Sequence, residues 1–187
     1  MTEIHESPDT ESSESSDSED SNRRYFRVHI DAPIDKVWAT LTRTDSVLPF
    51  FFNGVCKRTG SEKGAQIRMV SKNGKYTSVV GEVLEFDPPY RYAHTFRFTT
   101  QDDPPCVVRY RLEEKNGGTE FTLINENVPA GTKTENYMTQ GGTFITQNLK
   151  AIVETGRPTA SGRFALFMMG LTAPFMPSRC KSENWPL

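Results

Sequence analysis

The sequence predicts an α+β domain: an antiparallel sheet of about seven strands, two short helices after the first strand, and one long helix on the C-terminal side. Three observations carry this. Apolar residues alternate with period two through most of residues 26–126. Turn chemistry at Asn73-Gly74, Asp87-Pro88-Pro89 and Asn116-Gly117 interrupts the alternation at short spacing. From Thr134 to Thr155 the apolar period switches to that of a helix. Strands joined by tight turns, with no helical crossover between them, pair antiparallel.

Residues 26–30 place Phe26, Val28 and Ile30 on one face and Arg27 and His29 on the other. Asp31 near the N-cap and Pro33 in the first turn open a helix, whose buried stripe is Ile34, Val37, Trp38 and Leu41. Thr44-Asp45-Ser46 restarts a second short helix through Val47 and Leu48, which ends at Phe50-Phe51-Phe52-Asn53-Gly54. Strands follow at 64–71, 76–86, 90–100, 106–114 and 119–126. Asn73-Gly74 predicts a type I′ hairpin, in which both central residues need positive φ. Tyr92, His94, Phe96 and Phe98 share one face of their strand, as do Val108, Tyr110 and Leu112 of the next. The long helix sets Tyr137, Gly141, Phe144, Ile145, Leu149 and Ile152 on one side, and Gly156 with Pro158 stops it.

Charge divides the 187-residue chain unevenly. Residues 1–22 hold eight of the 24 acids and none of the 22 bases, so the tail carries −8; sixteen acids against 22 bases leave the rest at +6. The Ser/Asp/Glu-rich tail has too little apolar surface to offset its ordering entropy and is expected to be disordered over 1–23. Ser16, followed by Asp17 and Glu19, suits an acidophilic kinase. The folded domain is then 24–156, followed by an apolar extension, 157–187. Residues 164–178 carry no charge and are too short to span a bilayer. They are expected to pack back on the domain; a dimer contact or a membrane-surface anchor are the alternatives. The three cysteines are widely spaced with no C-x-x-C pair, and the first residues are polar, which together point to a reducing cytoplasmic or nuclear setting.

Chemistry-bearing motifs are sparse. The chain contains no G-x-S-x-G, Walker loop, G-x-G-x-x-G or H-E-x-x-H. No catalytic residue, cofactor, metal site or nucleic-acid partner is expected. Gly141-Gly142 reads as room for close helix–sheet approach or for a ligand. His94, on the inward aromatic face, could orient a ligand or move a proton.

Several strings are similar to those of one family: Ile30-Asp31-Ala32-Pro33 through Val37-Trp38 and Leu41-Thr42, Gly81-Glu82-Val83-Leu84-Glu85 into Asp87-Pro88-Pro89, Gly118-Thr119 with Phe121-Thr122-Leu123, and Gly141-Gly142 leading into Leu149-Lys150. Over residues 24–156 the chain resembles the START-like (SRPBCC) superfamily, in the branch similar to the C-terminal domain of the heat-shock-protein-90 ATPase activator. The resemblance implies a helix-grip fold, a curved sheet holding the last helix with an apolar cavity between them. It implies three classes of function: binding of a hydrophobic small molecule or lipid, regulation of a chaperone partner, and polyketide cyclase or aromatase chemistry. Binding is the function expected here. The expected cavity residues are Trp38, Phe51, Tyr92, His94, Phe96, Tyr110, Tyr137, Phe144 and Asn148, with His94, the tyrosines and Asn148 orienting a polar group of the ligand. A cyclase would use His94 or a tyrosine as its acid–base group.

Overall fold

The computed structural model describes residues 23–172 and 176–187. The acidic tail, with Ser16, and Pro174 lie outside the described residues. The order is β1 (Arg23–Ile30), α1 (Ile34–Leu41), β2 (Val47–Leu48), a 3-10 turn (Pro49–Phe51), β3 (Gly54–Arg58), β4 (Gln66–Val70), β5 (Thr77–Asp87), β6 (Arg91–Phe98), β7 (Cys106–Lys115), β8 (Gly118–Glu126), α2 (Lys133–Thr155) and α3 (Ala160–Thr172). The eight strands form one sheet in the order β1-β8-β7-β6-β5-β4-β3-β2, and every pairing is antiparallel. It is the helix-grip α+β fold, with α2 held in the concave face.

The β5–β6 pair is closely spaced and irregular. A side chain at Gly81 would come within 2.0 Å of the Thr95 carbonyl oxygen. Glycine therefore lets the two strands close up, and a register shift between Val83 and Glu85 adds local twist. Helix α2 is defined at both ends. The Thr132 hydroxyl accepts from the Glu135 N–H at 3.2 Å, and the Glu135 carboxylate accepts from the Gly131 N–H at 2.7 Å, a close variant of the capping box. Gly156 ends the helix with φ of 78°, a left-handed value that glycine adopts without strain.

Three expectations are corrected. The second short helix is absent: Val47 and Leu48 pair instead with Val55 and Gly54, and only the single turn Pro49–Phe51 remains helical. Buried Leu48 draws that segment into the sheet, and positive φ at Phe52 and Asn53 turns the chain back into β3. The Asn73-Gly74 hairpin takes positive φ only at Gly74. The Asn73 side chain spans the turn instead, its Oδ1 accepting from the Lys75 N–H at 3.1 Å. It is Asn116-Gly117 that has positive φ at both residues, 51° and 77°.

The third correction concerns the long helix. Its buried stripe is Thr134, Met138, Gly141, Gly142, Ile145, Thr146, Asn148, Leu149 and Val153. The face is rotated away from Tyr137, which is 47% exposed, and from Phe144 and Ile152, which are half-buried. Gly142 sets that rotation by sitting on the Phe26 ring, where a Cβ would lie 2.4 Å from Cε2. Only glycine allows β1 and α2 to approach this closely there.

Candidate ligand cavity

At one end the space between sheet and helix is filled. Helix α1 covers it, and Ile30, Val37, Leu112, Phe121 and Leu149 are fully buried. Aromatic rings continue the packing inward. Ring centroids lie 5.2 Å apart for Trp38–Phe86, 5.4 Å for Phe86–Tyr92, 5.5 Å for Tyr92–Tyr110 and 6.0 Å for Tyr110–Phe121. The Arg58 guanidinium caps this cluster 4.6 Å above the Phe86 ring.

At the other end the same groove opens into a cavity of about 1330 Å³. Phe96, Phe98, Val108, Tyr110 and Leu123 supply its sheet wall, and Tyr137, Met138, Phe144 and Ile145 its helix wall. Phe51 and Phe52 form one side, with Phe52 stacked on Phe144 at 4.4 Å. The exposed part of the lining, which marks the mouth, includes Lys72, Asn73 and Lys75 of the β4–β5 hairpin, Gly170 of α3, and Asn53, Tyr137 and Gln140. Lys72 and Lys75 stand on the hairpin side, Leu166 and Gly170 on the helix side. The wall is therefore aromatic and aliphatic, with positive charge at its rim.

Of the nine residues expected to line the cavity, Phe51, Phe96, Tyr110, Tyr137 and Phe144 do so. Trp38, Tyr92 and His94 do not; Trp38 sits on α1 and packs on Phe86, Tyr92 lies between Phe86 and Tyr110, and the His94 ring lies between Tyr92 and Phe96. Asn148 faces away from the cavity. Its Nδ2 donates to the Phe144 carbonyl at 2.8 Å, and its Oδ1 accepts from the Thr159 N–H at 3.1 Å and hydroxyl at 3.0 Å. Thr159 in turn accepts from the Gly162 N–H at 2.9 Å, so Asn148 and Thr159 together anchor the first turn of α3 to α2.

His94 has its donor and acceptor roles assigned by its neighbours. Nδ1–H donates to the Thr95 carbonyl at 2.8 Å, which leaves Nε2 as an acceptor 3.5 Å from the Tyr110 hydroxyl. Burial pushes its pKa down to about 4, with the Arg58 charge acting in the same direction. Burial also raises the phenol pKa of Tyr92 and of Tyr110 above the ordinary value. All three side chains are held neutral at physiological pH, so Tyr110 meets the cavity as a neutral hydroxyl. Among the described residues there is no cluster of three or more His, Cys, Asp or Glu side chains that could hold a metal ion. No helix among the described residues is long and apolar enough to cross a membrane.

Asn125 was not anticipated. It lies on the inward face of β8 beside Leu123, is 1% exposed and borders the cavity. Its Nδ2 donates to the Met138 carbonyl at 3.3 Å, and its Oδ1 has no partner. The signal was present in the alternation Phe121, Leu123, Asn125, where a polar residue falls on an otherwise apolar face.

Fold and cavity together define a START-like helix-grip protein. The family described as activator of Hsp90 ATPase homolog 1-like protein matches residues 31–154, most of the chain, and this protein belongs to that family. No curated protein matches the sequence. Many solved structures share the fold, among them these three. An HSP90 activator from Plasmodium falciparum is 16% identical with a TM-score of 0.57, over 73% of this chain and 97% of that one. The Aha1 dimer from Colwellia psychrerythraea is 17% identical with a TM-score of 0.56, over 72% and 97%. DynU16, a protein of the dynemicin biosynthetic locus, is 23% identical with a TM-score of 0.58, over 73% of this chain and 49% of its own. At these identities the likeness concerns the fold alone.

Proposed function

We propose that this protein binds a hydrophobic small molecule or lipid in the cavity between the sheet and α2. The observation that supports it is the cavity itself, about 1330 Å³ of largely apolar wall in a chain whose groove is packed solid at its other end. The Tyr110 hydroxyl offers a polar contact within the wall, and Lys72 and Lys75 at the rim suit an anionic head group. Native mass spectrometry of the full chain, followed by denaturing extraction, tests the reading. A discrete, releasable adduct that is lost in Phe144→Asp is the expected result. A bare mass, together with no uptake of a fluorescent fatty acid, would overturn it.

A second reading is regulation of an Hsp90-type chaperone through the protein surface. It is favoured by the family match and by the Plasmodium activator of the same fold. The test is stimulation of the chaperone's ATPase by the purified chain; no stimulation and no complex would count against it. An acid–base role for His94 has less support, because His94 lies outside the cavity wall and burial keeps it neutral.

A further inference from the structure

Helix α3 has two apolar faces. Leu166 and Gly170 border the cavity mouth. On the opposite side Phe164, Phe167, Met168 and Leu171 recur at i, i+3, i+4 and i+7 and are 68%, 65%, 47% and 57% exposed. Four large apolar side chains in one stripe, two of them phenylalanines, form a patch that water does not favour. The helix is anchored at its first turn through Thr159 and Asn148, so the stripe is held outward at a defined place beside the mouth.

The chain segment that carries this patch has charge of one sign. From Thr155 to Ser182 the sequence holds no Asp or Glu and four bases, Arg157, Arg163, Arg179 and Lys181. Arg179 is paired with Asp102 and Lys181 with Glu183. Arg157 and Arg163, like Lys72 and Lys75 at the mouth, have no ion pair with a described residue. On the helix, Arg163 is exposed and lies one turn before both Leu166 and Phe167, at the boundary between the cavity-facing side and the outer stripe. At 13 residues α3 is too short to cross a bilayer and suits lying in its surface.

We propose that α3 docks on an anionic phospholipid bilayer through Phe164, Phe167, Met168 and Leu171, with Arg157, Arg163, Lys72 and Lys75 on the headgroups. Docking places the cavity mouth against the lipid, so an apolar ligand passes between bilayer and cavity without crossing water. This last step rests on the cavity reading; the docking does not.

The test is flotation of the full-length chain with phosphatidylcholine vesicles that contain or lack phosphatidylserine. Binding is expected only with phosphatidylserine, and should weaken at high salt. Phe164→Ser with Phe167→Ser should lower the partition by about tenfold or more, and Arg163→Gln by about fivefold. Phe164→Trp, which keeps the helix apolar, should show a blue-shifted emission on phosphatidylserine vesicles. Absence of both flotation and the Phe164→Trp shift would overturn docking. So would light scattering that showed a dimer abolished by the double substitution, without flotation. Fatty-acid uptake, read separately, distinguishes the two ideas: uptake without flotation removes only the docking, and flotation without uptake removes only the cavity reading.

Discussion

Trp38, Phe86, Tyr92, Tyr110 and Phe121 at one end of the groove touch ring to ring, whereas at the other end Phe51, Phe98, Tyr137 and Phe144 stand around a cavity of about 1330 Å³. The residue types are the same. What differs is the layer above them. Helix α1 packs on α2, β7 and β8 and closes the first end. At the second end the 3-10 turn Pro49–Phe51 packs on α2, and α3, tied down at its first turn, borders the cavity. Aromatic content alone therefore does not distinguish core from binding wall; the presence of a second covering element does.

That contrast predicts opposite responses to substitution. At the packed end, Phe121→Ala should cost about 3–5 kcal/mol in a urea unfolding experiment, because Phe121 is fully buried and its neighbours cannot collapse into the gap. A loss below about 1 kcal/mol would mean this end is as yielding as the cavity.

The next effect is pH-dependent. His94 titrates at about 4 when folded against an ordinary 6.5, so the unfolded chain binds the extra proton between those values. The His94 contribution is therefore fully present above pH 6.5 and is lost as pH falls toward 4, by at most about 3 kcal/mol. His94→Gln should flatten that part of the stability-versus-pH curve. Equal acid limbs in the two proteins would show that His94 is not neutral and buried as described.

Two adjacent glycines sharpen the comparison further. Gly142→Ala should destabilise by about 1–3 kcal/mol, because its methyl would collide with the Phe26 ring on β1. At Gly141 the nearest atom is Phe52 Cζ at 3.8 Å, ordinary contact, so Gly141→Ala should be neutral or stabilise by up to about 1 kcal/mol. Similar losses at both sites would mean that α2 is not seated on β1 as described. Phe144→Asp should cost about 0.5–1.5 kcal/mol through the lost stack on Phe52, while abolishing uptake of a fluorescent fatty acid.

The candidate site was legible where alternation alone decided the facing. Phe96 and Tyr110 follow from period two on strands with one covered face, and they do line the cavity. The same pattern also selected Tyr92 and His94, which lie on the same face but are packed into the ring cluster with Phe86 and Tyr110. Asn148 was selected for its place on a helix, yet its amide is taken up by Thr159, eleven residues on and just before α3.

Turn pairs, strand alternation and the shift to a helical period are local properties of the backbone and of side-chain spacing, so the amino-acid sequence by itself determined the α+β class, most strand positions and the span of α2. Whether an inward residue meets another side chain or open space depends on elements distant in the chain. Helix α1 sits over Phe121, Phe26 sits under Gly142, and Thr159 reaches Asn148. Those contacts are long-range and leave no period in the sequence. Only the tertiary structure decided which end of the groove closed, which end stayed open, and which face of α3 was turned to the outside.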